Sequence, residues 1–279
     1  MNLRPLVLAT RPAQALKNLP VLAPMVFGHR LHDAVAVASV VACTVAWWLV
    51  ASAGYLVNDV ADRRTDAVHP RRRTRPVAAG TLSVGGALGA AAVLYGVGFA
   101  IVGLGSTPAA AGVLAAYAAL TAVYTFAAKR SAWVGPLVVA TGFVLRVLAG
   151  AWAAPVAPSA WILGMTGGLA LALALAKQEA ERRRADGEAP ASARRRTDVL
   201  LVGVAAAYAA YTAVPSTVAL HGTHALLVTA APVALALARF RQRLRADRSG
   251  AGPAELVARD PVLLLLGAAW AVTCVAILR

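Results

Sequence analysis

Three carboxylates and one amide lie close together in residues 58–66, in a chain that holds only 12 acidic residues. At helical spacing, Asn58, Asp62 and Asp66 are four residues apart, and Asp59 precedes Asp62 by three, so all four project from one side of a helix. Carboxylates this close repel each other unless a cation compensates them, and hard oxygen ligands suit Mg²⁺ better than a transition metal. The pattern predicts a magnesium site formed by Asp59, Asp62 and Asp66.

Basic residues surround this acidic stretch. They could bind an anionic substrate that the metal also holds, or they could simply form salt bridges with an acidic patch. Because the stretch lies where an apolar helix meets water, we favour the metal interpretation. The six arginines concerned are Arg63, Arg64, Arg71, Arg72, Arg73 and Arg75.

The composition is that of a membrane protein, with 59% hydrophobic and only 14% charged residues. A helix that crosses the roughly 30 Å hydrocarbon core needs about 20 apolar residues. A shorter run at 13–28 is broken by Pro20 and Pro24, and we interpret it as a kinked ninth span. The eight clear runs are 34–57, 80–104, 108–128, 132–153, 158–176, 198–219, 223–240 and 261–278. These runs predict an all-α integral membrane protein.

Basic residues are concentrated on one side of the predicted membrane spans. With a cytoplasmic N-terminus, nearly all of the 27 lysines and arginines fall in inside segments, which is the positive-inside pattern. This topology accounts for the net charge of +15, and the basic runs contain none of the interleaved aromatics that stack on nucleic acid. We expect a multi-pass cell-membrane protein with cytoplasmic polar loops, attraction to anionic lipids, and no nucleic-acid partner.

Further polar residues stand out in the apolar sequence. Arg146 lies in the middle of the fifth span, where a charge costs several kcal/mol unless it faces a wet cavity or an anionic partner. Lys177 and Glu181 share a helix face at the inside end of the sixth span, so this polar face could oppose the acidic one across a cavity. The alternative is an ion pair at a helix end that extends to the interface.

These polar motifs match a known family. The pattern Asn58-Asp59-x-x-Asp62-x-x-x-Asp66, followed by Arg73 and Arg75-Pro76, resembles the first motif of the UbiA superfamily of intramembrane transferases. The span count and the positions of the polar loops agree over nearly the whole chain. The resemblance implies one transmembrane domain over residues 1–279, a bundle of about nine helices around a lipid-accessible cavity, and Mg²⁺ that holds a diphosphate.

Within the superfamily, the chain is similar to the decaprenyl-phosphate phosphoribosyltransferases. The similarity is carried by the motifs at residues 11–18, 55–60, 69–70, 145–150 and 258–263. The chain departs from the subgroup at the end of the sixth span, where Gln178 and Glu179 stand in place of an arginine and a tyrosine. It also has Ala15 where the subgroup has a tryptophan.

The resemblance implies the transfer of a 5-phosphoribosyl group from phosphoribosyl diphosphate to a polyprenyl phosphate, with release of diphosphate. Asp59, Asp62 and Asp66 would hold Mg²⁺, and Asn58 would orient a metal ligand or a ribose hydroxyl. Glu181 would contact a sugar hydroxyl or complete the metal shell. The phosphates of the two substrates would be held by Lys17, Arg73, Arg75, Arg146 and Lys177.

Two other classes of function stay open at this point. One is a prenyltransferase or isoprenoid cyclase of the same fold, in which the metal ionises an allylic diphosphate. The low aromatic content of 6% disfavours it, because a carbocation benefits from aromatic walls. The other is a transporter or scaffold that binds ions without chemistry, for which inverted repeats with interrupted helices would be expected.

Overall fold

The computed structural model describes residues 3–128, 134–187, 190–247 and 252–278, and within these ranges the chain is helical with no β-strand. Short 3-10 helices at Pro12–Leu22 and Ala225–Thr229 and a π-helical turn at Tyr124–Ala128 join the α-helices. The α-helices are α1 (Arg4–Ala9), α2 (Ala23–Phe27), α3 (Ala34–Val68), α4 (Val84–Gly105), α5 (Pro108–Val123), α6 (Val134–Ala153), α7 (Ala160–Asp186), α8 (Ala191–Ala213), α9 (Pro215–His221), α10 (Ala230–Ala246), α11 (Pro253–Arg259) and α12 (Pro261–Leu278).

Within the described ranges, seven helices are long and apolar enough to cross a membrane. They correspond to seven of the eight clear apolar runs, although residues 132 and 133 of the fourth run lie outside the described ranges. The run 198–219 instead forms the pair α8 and α9, which bends by 60° and raises the count to eight if the pair is one span. The prediction of an all-α membrane bundle is confirmed.

The expected ninth span at 13–28 has a different local structure. Residues Pro12–Leu22 form a 3-10 helix with Pro20 inside it, and Ala23–Phe27 add one short α-helix. A proline within a helix removes a backbone donor and clashes with the preceding turn, so a continuous α-helix does not form here. The count of nine spans is therefore not confirmed.

Helix α3 is longer than the membrane requires. Its 35 residues extend for about 50 Å, against roughly 30 Å of hydrocarbon. Asp33 caps its first turn by accepting hydrogen bonds from the backbone N–H groups of Val35 and Ala36. The helix ends at Val68 because His69, which precedes Pro70, is extended. The acidic stretch thus lies on the last turns of a continuous helix.

The described residues form two compact units. The first unit comprises Met1–Val138 with Gly142–Pro158, and its core is centred on Trp47 of α3 and Leu114 of α5. The second unit comprises Val139–Thr141 with Ser159–Arg279, and its core includes Leu201 and Phe240. Whether the chain functions as the single domain 1–279 stays a prediction.

Close packing in the first unit depends on one glycine of α6. A Cβ atom added to Gly150 would lie 1.9 Å from the carbonyl oxygen of Val21 in the first 3-10 helix. No side chain fits in that space, so glycine is required for this 3-10 helix to lie directly against α6. This contact places the 3-10 helix beside Arg146, one turn earlier in α6.

Candidate functional site

The acidic side chains of α3 lie in two adjacent rows. Asp59 and Asp66 are only 2% and 1% exposed, and their separation of seven residues places them two turns apart on one face. Asp62 is half-buried and accepts a hydrogen bond of 3.1 Å from the side-chain amide of Asn58. The side-chain oxygen of Asn58 also lies 3.5 Å from the hydroxyl of Thr125, in the π-helical turn that follows α5.

One arginine bridges the two buried carboxylates. The Nη1 atom of Arg75 lies 2.7 Å from Asp66 Oδ2 and 3.2 Å from Asp59 Oδ1. Arg72 lies 3.9 Å from the other oxygen of Asp66. Removing two carboxylates from water is costly unless cations and hydrogen bonds compensate them. The contacts of Arg75 and Arg72 with these carboxylates are those of the salt-bridge interpretation of the acidic stretch.

The segment between α3 and α4 folds so that Arg75 points back to α3. His69 accepts hydrogen bonds on Nδ1 from the backbone N–H groups of Arg71 and Arg72. The backbone N–H of Arg75 donates to the carbonyl of Arg72, and the N–H of Ala79 donates to the carbonyl of Arg75. These consecutive turns return the chain toward the end of α3.

A second arginine reaches the site from the other direction in the sequence. The Nη2 atom of Arg11 contacts Asp59 Oδ1, and its guanidinium lies over the ring of Tyr55 at 4.8 Å. The Arg11 backbone is left-handed, with φ 54° and ψ 63°. This conformation costs a non-glycine residue roughly 1–2 kcal/mol, and a following proline favours extended backbone instead.

Sequence reasoning did not assign Arg11 to the site. The residue begins the motif at residues 11–18, whose two cations could anchor the chain to lipid headgroups or hold a phosphate. Its contact with Asp59, 48 positions away, depends on how the 3-10 helix packs against α3. The left-handed backbone that directs its side chain has no sequence signal, because glycine and asparagine are the residues that usually adopt it.

The donor set at Asp59 and Asp66 fits a magnesium ion. A single nitrogen contacts both carboxylates, so a cation near that position would also contact both. Mg²⁺ commonly uses one or two carboxylates together with water and substrate phosphates. Among the residues that the structure describes, no three His, Cys, Asp or Glu side chains form a metal-binding group. The three-carboxylate site with Asp62 stays a prediction.

Arg146 is buried, and each of its three side-chain nitrogens donates a hydrogen bond to a neutral group. Its three side-chain nitrogens donate to Asn18 Oδ1 at 2.9 Å, to the carbonyl of Gly142 at 2.9 Å and to the hydroxyl of Tyr117 at 3.0 Å. Its guanidinium also lies within 5.2 Å of the ring centres of Trp47, Tyr117 and Phe143. Neutral hydrogen-bond acceptors and aromatic faces thus compensate the charge of Arg146. The sequence alone indicates only a wet cavity or an anionic partner for this purpose.

The other predicted phosphate ligands are solvent-exposed. Lys17 belongs to the 3-10 helix of the first unit, where it precedes the buried Asn18, and Arg73 lies in the segment after α3. Lys177 and Glu181 belong to α7 in the second unit, where they form an exposed i,i+4 pair at 3.8 Å. The structure thus groups Asp59, Asp66, Arg75 and Arg11, and their association with the remaining predicted residues stays a prediction.

The departure from the subgroup pattern on α7 has a structural role. Glu179 is 2% exposed and pairs with Arg183 at 2.7 Å. Arg183 also donates to the carbonyl oxygens of Leu244, Arg245 and Asp247 at the end of α10. Glu179 therefore orients the arginine that joins α7 to α10 in the second unit.

Sequence comparisons identify relatives of this chain. It is 39% identical over 166 residues to a protein of Corynebacterium glutamicum named decaprenyl-phosphate phosphoribosyltransferase, a match that covers 57% of this chain and 48% of that protein. It is 36% identical over 162 residues to a protein of the same name from Mycolicibacterium smegmatis, covering 57% and 51%. The chain spans about half the length of the relatives that it matches.

Solved structures share the fold at low sequence identity. A UbiA homologue from Archaeoglobus fulgidus bound to GPP and Mg²⁺ superposes with a TM-score of 0.66 at 14% identity, covering 97% of this chain and 98% of that one. A digeranylgeranylglyceryl phosphate synthase superposes with a TM-score of 0.61 at 11% identity, covering 95% and 92%. The model of the UbiA prenyltransferase family matches residues 19–259. The chain belongs to the UbiA prenyltransferase family.

Proposed function

We propose that this chain is a Mg²⁺-dependent intramembrane transferase that moves a 5-phosphoribosyl group from phosphoribosyl diphosphate to a polyprenyl phosphate. The observation that carries the proposal is the buried pair Asp59 and Asp66, which holds a single cationic nitrogen on the last turns of a membrane helix. The choice of donor and acceptor is supported by relatives at 36–39% identity that are named decaprenyl-phosphate phosphoribosyltransferase.

The carboxylates would position the leaving group. Asp59 and Asp66, with Asp62 as a third ligand, would hold Mg²⁺, which when bound supplies positive charge to the departing diphosphate. Asn58, held by Asp62, would orient a metal ligand or a ribose hydroxyl. The bond between the anomeric carbon and the diphosphate oxygen breaks, and the electron pair leaves with the diphosphate.

Cationic side chains would hold the phosphates of both substrates. Arg73 and Arg75 of the first unit would bind the donor, and Lys17 would meet the acceptor phosphate. The roles of Lys177 and Glu181 in binding substrate stay predictions of the resemblance. An oxygen of the polyprenyl phosphate forms the new bond to the anomeric carbon. A phosphate monoester is largely dianionic at pH 7 because its second pKa is about 6, so no strong general base is required.

Arg146 would contribute through its charge. Its hydrogen-bond acceptors are an amide, a carbonyl and a phenol, so the positive charge is not cancelled by a carboxylate. In an interior of low dielectric, an uncompensated charge attracts an anion over a longer distance than in water. Arg146 would therefore favour an anionic acceptor without releasing the groups that hold it.

A second candidate is transfer from an allylic diphosphate, as the solved homologue bound to GPP suggests. That chemistry generates a carbocation, which aromatic faces stabilise. In this chain, the faces of Trp47, Tyr117 and Phe143 already contact the guanidinium of Arg146. A fixed positive charge among these rings would repel a carbocation, which favours the phosphoribosyl donor.

The site would face the cytoplasm in a cell membrane. Phosphoribosyl diphosphate is a soluble, highly charged donor, so its site must open to an aqueous compartment. The arginines that follow α3 belong to the basic segments that the positive-inside rule places on the cytoplasmic side. The N-terminus would lie on the same side.

Ligand-dependent stability tests the proposal. Full-length protein in lipid nanodiscs would be heated with Mg²⁺ and either phosphoribosyl diphosphate or geranyl diphosphate, and unfolding would be followed by fluorescence. We expect phosphoribosyl diphosphate to raise the midpoint temperature in a Mg²⁺-dependent manner, because a ligand that binds only the folded state stabilises it. Stabilisation by geranyl diphosphate alone would instead support the allylic alternative.

A further inference from the structure

Asp59 has more cationic partners than one carboxylate oxygen needs. Its Oδ1 atom contacts both Arg11 Nη2 and Arg75 Nη1, while the residue itself is 2% exposed. A metal ion that binds Asp59 would compete with these guanidinium groups for the same charge. A cation that binds Asp59 through Oδ1 would therefore displace one of the two arginines.

The two arginines differ in what they keep after such an exchange. Arg75 retains its 2.7 Å contact with Asp66, and the turns after His69 hold its backbone. Among the residues that the structure describes, Asp59 is the one carboxylate that Arg11 contacts. Its guanidinium is partly exposed at 28% and rests on the ring of Tyr55. Arg11 is thus the arginine that is displaced more readily.

The left-handed backbone of Arg11 is an independent observation that points to a role in ligand binding. A left-handed conformation at a non-glycine residue before proline persists only where the surrounding structure imposes it. Such strained residues concentrate at ligand-binding sites. An arginine of this kind at a buried carboxylate fits a residue that binds phosphate, because its planar fork matches phosphate oxygens.

We propose that Arg11 is an exchangeable counter-ion, which neutralises Asp59 in the metal-free protein and turns to the diphosphate of the donor when a divalent cation takes its place. This inference rests on the proposed function, since it concerns the same site. It predicts opposite effects on two affinities: removal of Arg11 should strengthen metal binding and weaken diphosphate binding. A purely structural ion pair would not weaken diphosphate binding in the metal-loaded protein.

The test uses Mn²⁺ as the probe for the metal and inorganic diphosphate as the probe for the anion. Mn²⁺ affinity is measured by electron paramagnetic resonance, and diphosphate affinity by calorimetry at saturating Mn²⁺, on full-length protein in detergent. The variant is Arg11→Gln. The matched control is Arg30→Gln, which removes an arginine from the Arg30–Asp33 pair at the other end of α3.

We expect Arg11→Gln to bind Mn²⁺ about tenfold more tightly and diphosphate about tenfold more weakly than the wild type, the equivalent of one charged hydrogen bond. Arg30→Gln should leave both affinities unchanged. Wild-type Mn²⁺ affinity in Arg11→Gln, or undiminished diphosphate affinity, would overturn the exchange.

Two further outcomes separate this inference from the proposed function. Absence of Mn²⁺ binding in the wild type as well would contradict the metal-dependent function, whereas normal binding that Arg11→Gln leaves unchanged contradicts the exchange alone. If Arg11→Gln does not fold, Arg11→Lys replaces it. Lysine keeps the charge and lacks the planar fork, so it should still weaken diphosphate binding, and wild-type affinity in that variant would overturn the inference.

Discussion

At the scale of single residues, the chemistry of the site could be read from the sequence but its contacts could not. The spacing of Asn58, Asp59, Asp62 and Asp66 predicted that all four lie on one side of a helix. Asp59 and Asp66 are buried on a common face, whereas Asn58 and Asp62 are half-buried in an adjacent row. Their partners depend on packing. The family resemblance singled out Arg73 and Arg75 from six neighbouring arginines, but it did not show that Arg75 bridges two carboxylates. Arg11 is brought to Asp59 by a 3-10 helix that no periodicity indicates.

Arg146 shows how a buried charge can be satisfied without a counter-ion. The sequence showed that a charge at this depth requires compensation. It did not show that Asn18, Tyr117 and the aromatic rings would supply it, because these groups come from three separate elements.

Replacement of Arg146 by methionine should destabilise the first unit. Methionine fills much of the same volume but leaves the side chains of Asn18 and Tyr117 without their donor. Hydrogen bonds to a charged group contribute about 1.5–3 kcal/mol each, and part of this is regained by removing a buried charge, so we expect a net loss of about 2 kcal/mol. Denaturation of the purified protein in detergent, followed by fluorescence, measures it.

The control for this variant is Arg30→Met, which removes an exposed arginine from its pair with Asp33. Its free energy of unfolding should change by less than about 1 kcal/mol. An Arg146→Met protein as stable as the wild type would show that the hydrogen bonds of Arg146 do not support the fold.

At the scale of elements, the lengths of the apolar runs in the sequence predict most of the membrane-spanning helices. Three helices or spans depart from the length of their apolar runs for local reasons. Pro20 interrupts the run at 13–28, and the extended Val214 before Pro215 ends α8 where the span bends. Helix α3 continues past its apolar part until His69. Polar contacts between helices carry no such signal. The pair of Glu179 with Arg183, and the contacts of Arg183 with the end of α10, are examples.

Substitution of Glu179 by glutamine should lower the free energy of unfolding, because it weakens the contact between α7 and α10 that Arg183 makes. It leaves the largely buried Arg183 without its carboxylate, and breaking a buried ion pair costs about 3 kcal/mol or more. Glu181→Gln is the matched control, because Glu181 lies on the same helix and its pair with Lys177 is exposed, so its effect should be below about 1 kcal/mol. Equal stability of the two variants in a denaturant titration would refute this role.

Asp260 should make the stability of the second unit dependent on pH. Burial opposes ionisation of Asp260, but the backbone N–H of Leu263, Arg239 and the N–H of Val262 outweigh burial and hold the pKa of this carboxyl below its ordinary value. A lowered folded-state pKa contributes stability above the unfolded-state pKa, which is about 3.9 for Asp, and this contribution is lost as the pH falls through the folded-state pKa.

The comparison with Asp260→Asn isolates this contribution. The wild type should be more stable than the variant at pH 7, and the difference should shrink as the pH falls below about 4. Unfolding free energies of both proteins in detergent between pH 7 and pH 3 provide the measurement. A difference that is independent of pH would show that the charge of Asp260 does not stabilise the fold.

At the scale of the whole molecule, family membership and chemistry rest on different observations. The family model covers residues 19–259, and solved UbiA structures superpose over nearly the whole chain. The named phosphoribosyltransferases match just over half of the chain and about half of their own length. The fold therefore follows from similarity over nearly the whole chain, whereas the phosphoribosyl donor is a proposal that these partial matches support.

The most direct test of the central claim is turnover by the wild type and by Asp59→Asn. Purified full-length protein would be incubated with Mg²⁺, polyprenyl phosphate and either labelled phosphoribosyl diphosphate or labelled geranyl diphosphate, and the lipid products would be separated and counted. Asp33→Asn is the matched control, because Asn caps a helix as well as Asp does and Asp33 lies at the other end of α3.

We predict that the wild type and Asp33→Asn transfer label from phosphoribosyl diphosphate to the lipid phosphate, that EDTA abolishes the transfer, and that Asp59→Asn lowers its rate by about 100-fold or more. Transfer from geranyl diphosphate but not from phosphoribosyl diphosphate would contradict the assigned reaction, and an Asp59→Asn protein with wild-type turnover would contradict the assigned site.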